Sequence, residues 1–136
     1  RLISDPLPKG DPTMGDRLKP IIGAWATGCL VGYVAVTNLF NPAMPAPAFE
    51  PVVANLMLST ALYQIIAVLF FDWAVQKSGH AMQTAWVIAI SQILLVDVNY
   101  WIIGRRELEP ALYSVVIIFV IWTAVAFVYD KLSDAA

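Results

Sequence analysis

Apolar residues in this chain fall in four long blocks separated by short polar or proline-rich breaks, rather than in the alternating or one-sided patterns of soluble elements. The blocks run over about 21–40, 52–72, 81–103 and 110–130. Each is close to the roughly 20 residues that a helix needs to cross about 30 Å of hydrocarbon. Their continuity predicts helices and not a barrel, whose strands would be about ten residues of in-and-out alternation. Ile65–Phe71 and Val115–Ile121 are apolar on all sides, so the polar outer face of a soluble bundle is missing. The breaks suit helix ends: Asn41-Pro42 and the prolines that follow, Asp72, Gly79-His80, Gly104-Arg105-Arg106, and Pro110 at a first-turn position. Glu107 and Glu109 precede the last block, where negative charge meets the positive end of a helix dipole.

The expected architecture is an all-α integral membrane protein, four transmembrane helices in an up-down antiparallel bundle occupying 21–132. Residues 1–20 carry Pro6, Pro8, Pro12 and Pro20 with two glycines and three aspartates, and are expected to form an extended, extramembrane N-terminal tail. Residues 133–136 form a C-terminal tail. No segment has the charged start, apolar stretch and small-residue cleavage site of a signal peptide. The four blocks show no repeat that would divide them into two similar halves.

Composition agrees: of 136 residues 60% are hydrophobic and 13% charged, against about 25% charged in soluble domains. Eight scattered Lys and Arg residues and a net charge of -2 argue against nucleic acid as a partner. The lone cysteine, Cys29, has no internal partner for a bridge. With four crossings, six cations (Arg1, Lys9, Arg17, Lys19, Lys77, Lys131) share the side of the termini, against Arg105 and Arg106 on the other. The positive-inside tendency then places both termini on the cytoplasmic side of an inner membrane, bacterial or organellar. Trp25, Trp73, Trp86 and Tyr129 are expected at the inner interface, and Phe40, Tyr100, Trp101 and Tyr113 at the outer one.

Candidate contacts are few. Ala24, Gly28 and Gly32 recur at four-residue spacing on one face of the first helix, a pattern for close packing within the bundle or against another subunit. Asp97 lies on the order of 9 Å inside the third helix at about 1.5 Å per residue. There a carboxylate needs a partner or a watery cavity. Asn99 and Tyr100 are its nearest polar neighbours in sequence, and Arg105 follows two turns later at a longer reach. With Gln92 and Gln64, near the middles of the third and second helices, these residues make up the expected intramembrane polar site. Gln64, Tyr63 and Gln92 are expected to join helices by hydrogen bonds. The single histidine, His80, rules out a bis-histidine haem or a His-rich metal site within the chain. A bound lipid, quinone or pigment is left open, since such molecules are held mainly by apolar contacts.

No catalytic residue set stands out: the hydroxyl residues are separated from His80 by helix depth, and no phosphate loop, paired cysteines or HExxH occurs. The expected function is therefore a non-catalytic accessory subunit of a larger energy-transducing or transport complex, with lipid and other integral membrane subunits as partners. The alternative is a small homo-oligomeric channel or transporter with Asp97 in an ion or proton path. A membrane enzyme or lipid-binding protein acting at the interface is a third class.

Overall fold

A computed structural model of the chain describes residues 12–45 and 50–134. Every regular element in that range is helical. Four helices are long and apolar enough to cross a membrane: α1 (Met14–Ala43), α2 (Leu56–Ser78), α3 (Ala81–Ile102) and α4, whose span Leu108–Ser133 continues to Asp134. Large apolar side chains such as Leu30, Ile66, Leu95, Ile102, Val116 and Phe127 are each more than half exposed. That outer surface suits acyl chains and not water.

Local chemistry sets the helix ends, and four of them differ by a turn or more from the positions the apolar runs suggest. Helix α1 starts two turns earlier, at Met14, because Thr13 and Asp16 form a reciprocal capping box. The expected tail is thus helical from residue 14, and residues 1–11 of it lie outside the described residues. Pro20 sits inside α1, fully buried. It costs one backbone bond there without ending the helix, which bonding on either side and packing maintain. Helix α2 begins later, with Asn55 accepting from the Leu58 N–H, and runs through Asp72 to Ser78, where Gly79 closes it at φ 77°. Gly104, at φ 73°, turns the chain after α3. Helix α4 extends past the expected end, through Ser133.

Helix α4 packs most extensively on α1 and next on α3; α1 packs also on α2, and α2 packs on α3 more sparsely. The dense core occupies the half of the bundle nearer the chain termini. Val68, Phe71, Ala85, Ala89, Val125 and Ala126 are almost wholly buried there, with Trp122 and Tyr129 against Phe71. The alanines of α3 bring it close to α4 in that half.

The other half is looser. Both π-helical segments fall within it, Val36–Phe40 in α1 and Ile93–Val98 in α3. A π turn inserts a residue into the helical register, so the face presented to the bundle shifts beyond it. In α1 the Asn38 amide donates to the Val34 carbonyl at 2.7 Å, competing with the backbone ladder beside the π segment. In α3 the π segment contains Asp97, which it turns to the interior, 1% exposed.

Candidate functional site

Two buried carboxylates lie on the bundle interior, one toward each end, and each is answered by an arginine. Toward the terminal end, Asp72 of α2 accepts from Arg17 Nε of α1, at 3.0 and 3.2 Å to its two oxygens, and from the Tyr129 hydroxyl of α4 at 2.6 Å. Gln76 Nε2 donates to the same hydroxyl at 3.1 Å. The cluster ties three helices together at the edge of the packed core, with both Asp72 oxygens occupied. It can do structural work, and its donors and acceptors are spent on one another.

Toward the other end, Asp97 pairs with Arg106 Nη1 through Oδ1, while Oδ2 is buried with no partner among the described residues. The guanidinium stands over the rings of Phe40, at 5.2 Å, and Tyr100, at 5.4 Å. Backbone N–H groups of Arg105 and Arg106 both donate to the Tyr100 carbonyl, at 2.8 and 3.1 Å, which folds the loop back over the end of α3. The pairing arginine is Arg106, not Arg105, whose side chain is exposed. Asn99 is also exposed and, like Tyr100, makes no hydrogen bond to Asp97; Tyr100 contributes its ring face and its carbonyl.

Beneath this pair lies a cavity of about 500 Å³ among the four helices. Its walls include Gly32, Val36 and Phe40 of α1 and Ile117, Ile118 and Ile121 of α4. Ser59, Thr60, Ser114, Gln64 and Gln92 supply scattered polar groups, and Trp122 closes the deep end. Both π segments border it, through Val36 and Phe40 on one side and Val96 and Asp97 on the other. Its size falls within the roughly 300–1,000 Å³ of small-molecule sites, and its mix of apolar wall and sparse polar groups is that of a binding pocket.

The two glutamines have different fates. Gln92 joins helices as expected of an intramembrane amide, donating to the Tyr63 hydroxyl of α2 at 3.1 Å and accepting from the Trp122 indole of α4 at 2.9 Å. Gln64 does not: it is 6% exposed and lines the cavity, yet no hydrogen bond among the described residues engages its amide. Its amide lies against the small-residue face of α1. A methyl group on Gly28 would stand 2.5 Å from Gln64 Oε1, and one on Gly32 would stand 3.1 Å from Nε2. Gly28, Gly32 and the fully buried Ala24 all face the interior of this same bundle, so the small residues make room within one chain.

Trp25 and Tyr129, expected at an interface, hydrogen-bond inside the bundle instead, to the Ala61 carbonyl and to Asp72. His80 lies in the α2–α3 turn, at the opposite end from the cavity. No group of three or more potential metal ligands occurs among the described residues.

Sequence reasoning passed over Arg106 as the partner of Asp97, and the whole Arg17–Asp72–Tyr129 cluster. A signal existed for the second: Gly79 is the natural stop for α2, which places Asp72 as far inside its helix as Asp97 is inside α3. Nothing along the chain marks which arginine meets which carboxylate. The fold and cavity define a four-helix protein of membrane-spanning dimensions with a partly open pocket in one half. No protein-family model, curated protein or solved structure matches the chain.

Proposed function

We propose that this protein is a membrane-embedded binding protein, without a catalytic step of its own, that holds one small lipid-like molecule among its four helices. The observation that carries this reading is the cavity of about 500 Å³, apolar along its walls and capped by the buried Asp97–Arg106 pair. The pocket is open along part of its boundary, and a molecule seated in it would gain dispersion contacts with the apolar wall. Two π segments border the pocket, and such interruptions are frequent at functional sites.

This reading is favoured over the two drawn first from the sequence on specific grounds. The accessory-subunit reading drew in part on Ala24, Gly28 and Gly32 as a packing face open also to another subunit, and Gly28 and Gly32 lie against Gln64, Val125 and Ile121 of the same chain. The channel reading leaned on Asp97 as an ion site, and Asp97 is neutralised by Arg106 above an apolar chamber.

The test is retention of a bound molecule by the purified protein. Native mass spectrometry after detergent exchange is expected to find one small apolar molecule per chain. Ser114→Phe, which places a ring in the cavity, is expected to lose that molecule while melting as the wild type does. A wild-type protein that carries no discrete adduct, or a Ser114→Phe variant that keeps it, overturns the proposal.

A further inference from the structure

If the cavity holds a lipid-like molecule, the state of Gln64 narrows its chemistry. The carboxamide has two donors and an acceptor oxygen. In an apolar setting an amide left unpaired is costly, which is why amides within membrane helices bond across to neighbours. Gln92 does so and Gln64 does not, although both line the same chamber. Gln64 lies eight residues beyond Leu56, about 12 Å along α2 at roughly 1.5 Å per residue, and its side chain lines the pocket.

The slot in α1 sharpens the point. Gly28 and Gly32 leave space that the Gln64 carboxamide fills, and a side chain at Gly28 would collide with it. Two glycines in a helix interior are unfavourable relative to alanine. Here they leave room for a carboxamide that has no hydrogen-bond partner among the described residues.

The charges at the mouth bear on the same question. Asp97 and Arg106 pair through Oδ1, so the pocket offers no net charge to a phosphate or an ammonium group, while Asp97 Oδ2 is a further acceptor at its mouth. A plain acyl chain would fill the volume and leave the Gln64 amide unpaired. A neutral hydroxyl meets both requirements with one atom, donating to the amide oxygen and accepting from the amide nitrogen.

We propose that Gln64 is the recognition residue of the pocket, and that the occupant is a neutral lipid bearing a hydroxyl group that sits at the depth of Gln64. This rests on the binding reading above and adds to it the identity of the group that is read.

The experiment uses the whole 136-residue chain in liposomes with three photoreactive alkyl probes of equal length: a long-chain alcohol, its methyl ether, and the parent hydrocarbon. Cross-linked positions are mapped by mass spectrometry. The alcohol is expected to label the Ile117–Trp122 stretch about tenfold more than the ether or the hydrocarbon. Gln64→Met keeps the length of the side chain and removes its hydrogen bonds, and is expected to bring the three probes to equal labelling. Because the comparison among probes is made first on the wild type, misfolding of the variant does not remove the test.

Equal labelling of the cavity by all three probes in the wild type leaves the binding reading standing and overturns the hydroxyl inference. A preference for the alcohol that survives in folded Gln64→Met overturns the assignment to Gln64. Labelling confined to the outer surface for every probe overturns both readings together.

Discussion

Replacing Asp72 by asparagine offers a quantitative test of how the terminal half of the bundle is held. The carboxylate is 2% exposed and accepts from Arg17 Nε and the Tyr129 hydroxyl. Asparagine preserves the shape and keeps an oxygen for Tyr129, but it leaves the Arg17 cation without its counter-charge. Removing one partner of a fully buried pair costs about 3–5 kcal/mol. The Arg17 side chain is 17% exposed and lies within the first turns of α1, so part of that penalty is relieved by water. A hydrogen bond to a charged group is worth about 1.5–3 kcal/mol, and the expected loss is about 2 kcal/mol.

The pairwise part is isolated by a double-mutant cycle with Arg17→Gln, read from equilibrium unfolding in mixed micelles of rising SDS fraction. The expected coupling is again about 2 kcal/mol. A neutral interhelical bond such as Gln92 to the Trp122 indole, 2.9 Å long, belongs to a class that averages about 0.6 kcal/mol in membrane proteins. The Arg17–Asp72 coupling should therefore exceed the Gln92–Trp122 coupling, measured with Gln92→Leu and Trp122→Phe, about threefold. Coupling below about 0.5 kcal/mol, or two pairs of equal strength, would refute the claim that this ion pair fastens α1 to α2.

Gly28→Ala should destabilise by about 1 kcal/mol in the same assay, overpacking against Gln64 outweighing the gain in helix propensity, and Gln64→Ala should suppress the loss. Gly32→Ala, whose added methyl finds 3.1 Å to Gln64 Nε2 and 3.6 Å to Ile121, should be near neutral; the reverse order would show that the slot is misplaced. Gly79→Ala meets no neighbouring atom but must hold φ near 77°, at a cost of about 1–2 kcal/mol in the left-handed region. A thermal midpoint for that variant equal to wild type would mean that the α2–α3 turn does not need glycine.

Much of the fold was legible along the chain because crossing a bilayer is a property of length and apolarity, both of which are one-dimensional. The four apolar runs announce four helices whatever their neighbours are. Helix ends were less legible where capping chemistry reaches beyond the apolar run. Thr13 and Asp16 start α1 within a stretch rich in proline, and Gly79 lets α2 continue past a carboxylate that looks like its end.

The candidate site was legible as a set of residue types and not as a constellation. Asp97, Gln92, Gln64, Gly28 and Gly32 stand out in the sequence because polar or very small residues are conspicuous among apolar ones. Which of them pair was decided in three dimensions. Arg106 meets Asp97 because the loop folds back onto the Tyr100 carbonyl, and Gln92 reaches Tyr63 and Trp122 because α3 lies between two partners.

The cavity itself has no sequence signature. It arises because α3 packs close to α4 through alanines in one half, while two π segments change the facing surfaces of α1 and α3 in the other. Hydrophobicity alone determines that these segments are helices able to span a membrane. Only the packing of the helices against one another determines that Gln92 bonds to two neighbours, that Gln64 lines a pocket, and that the pocket is large enough to hold a molecule.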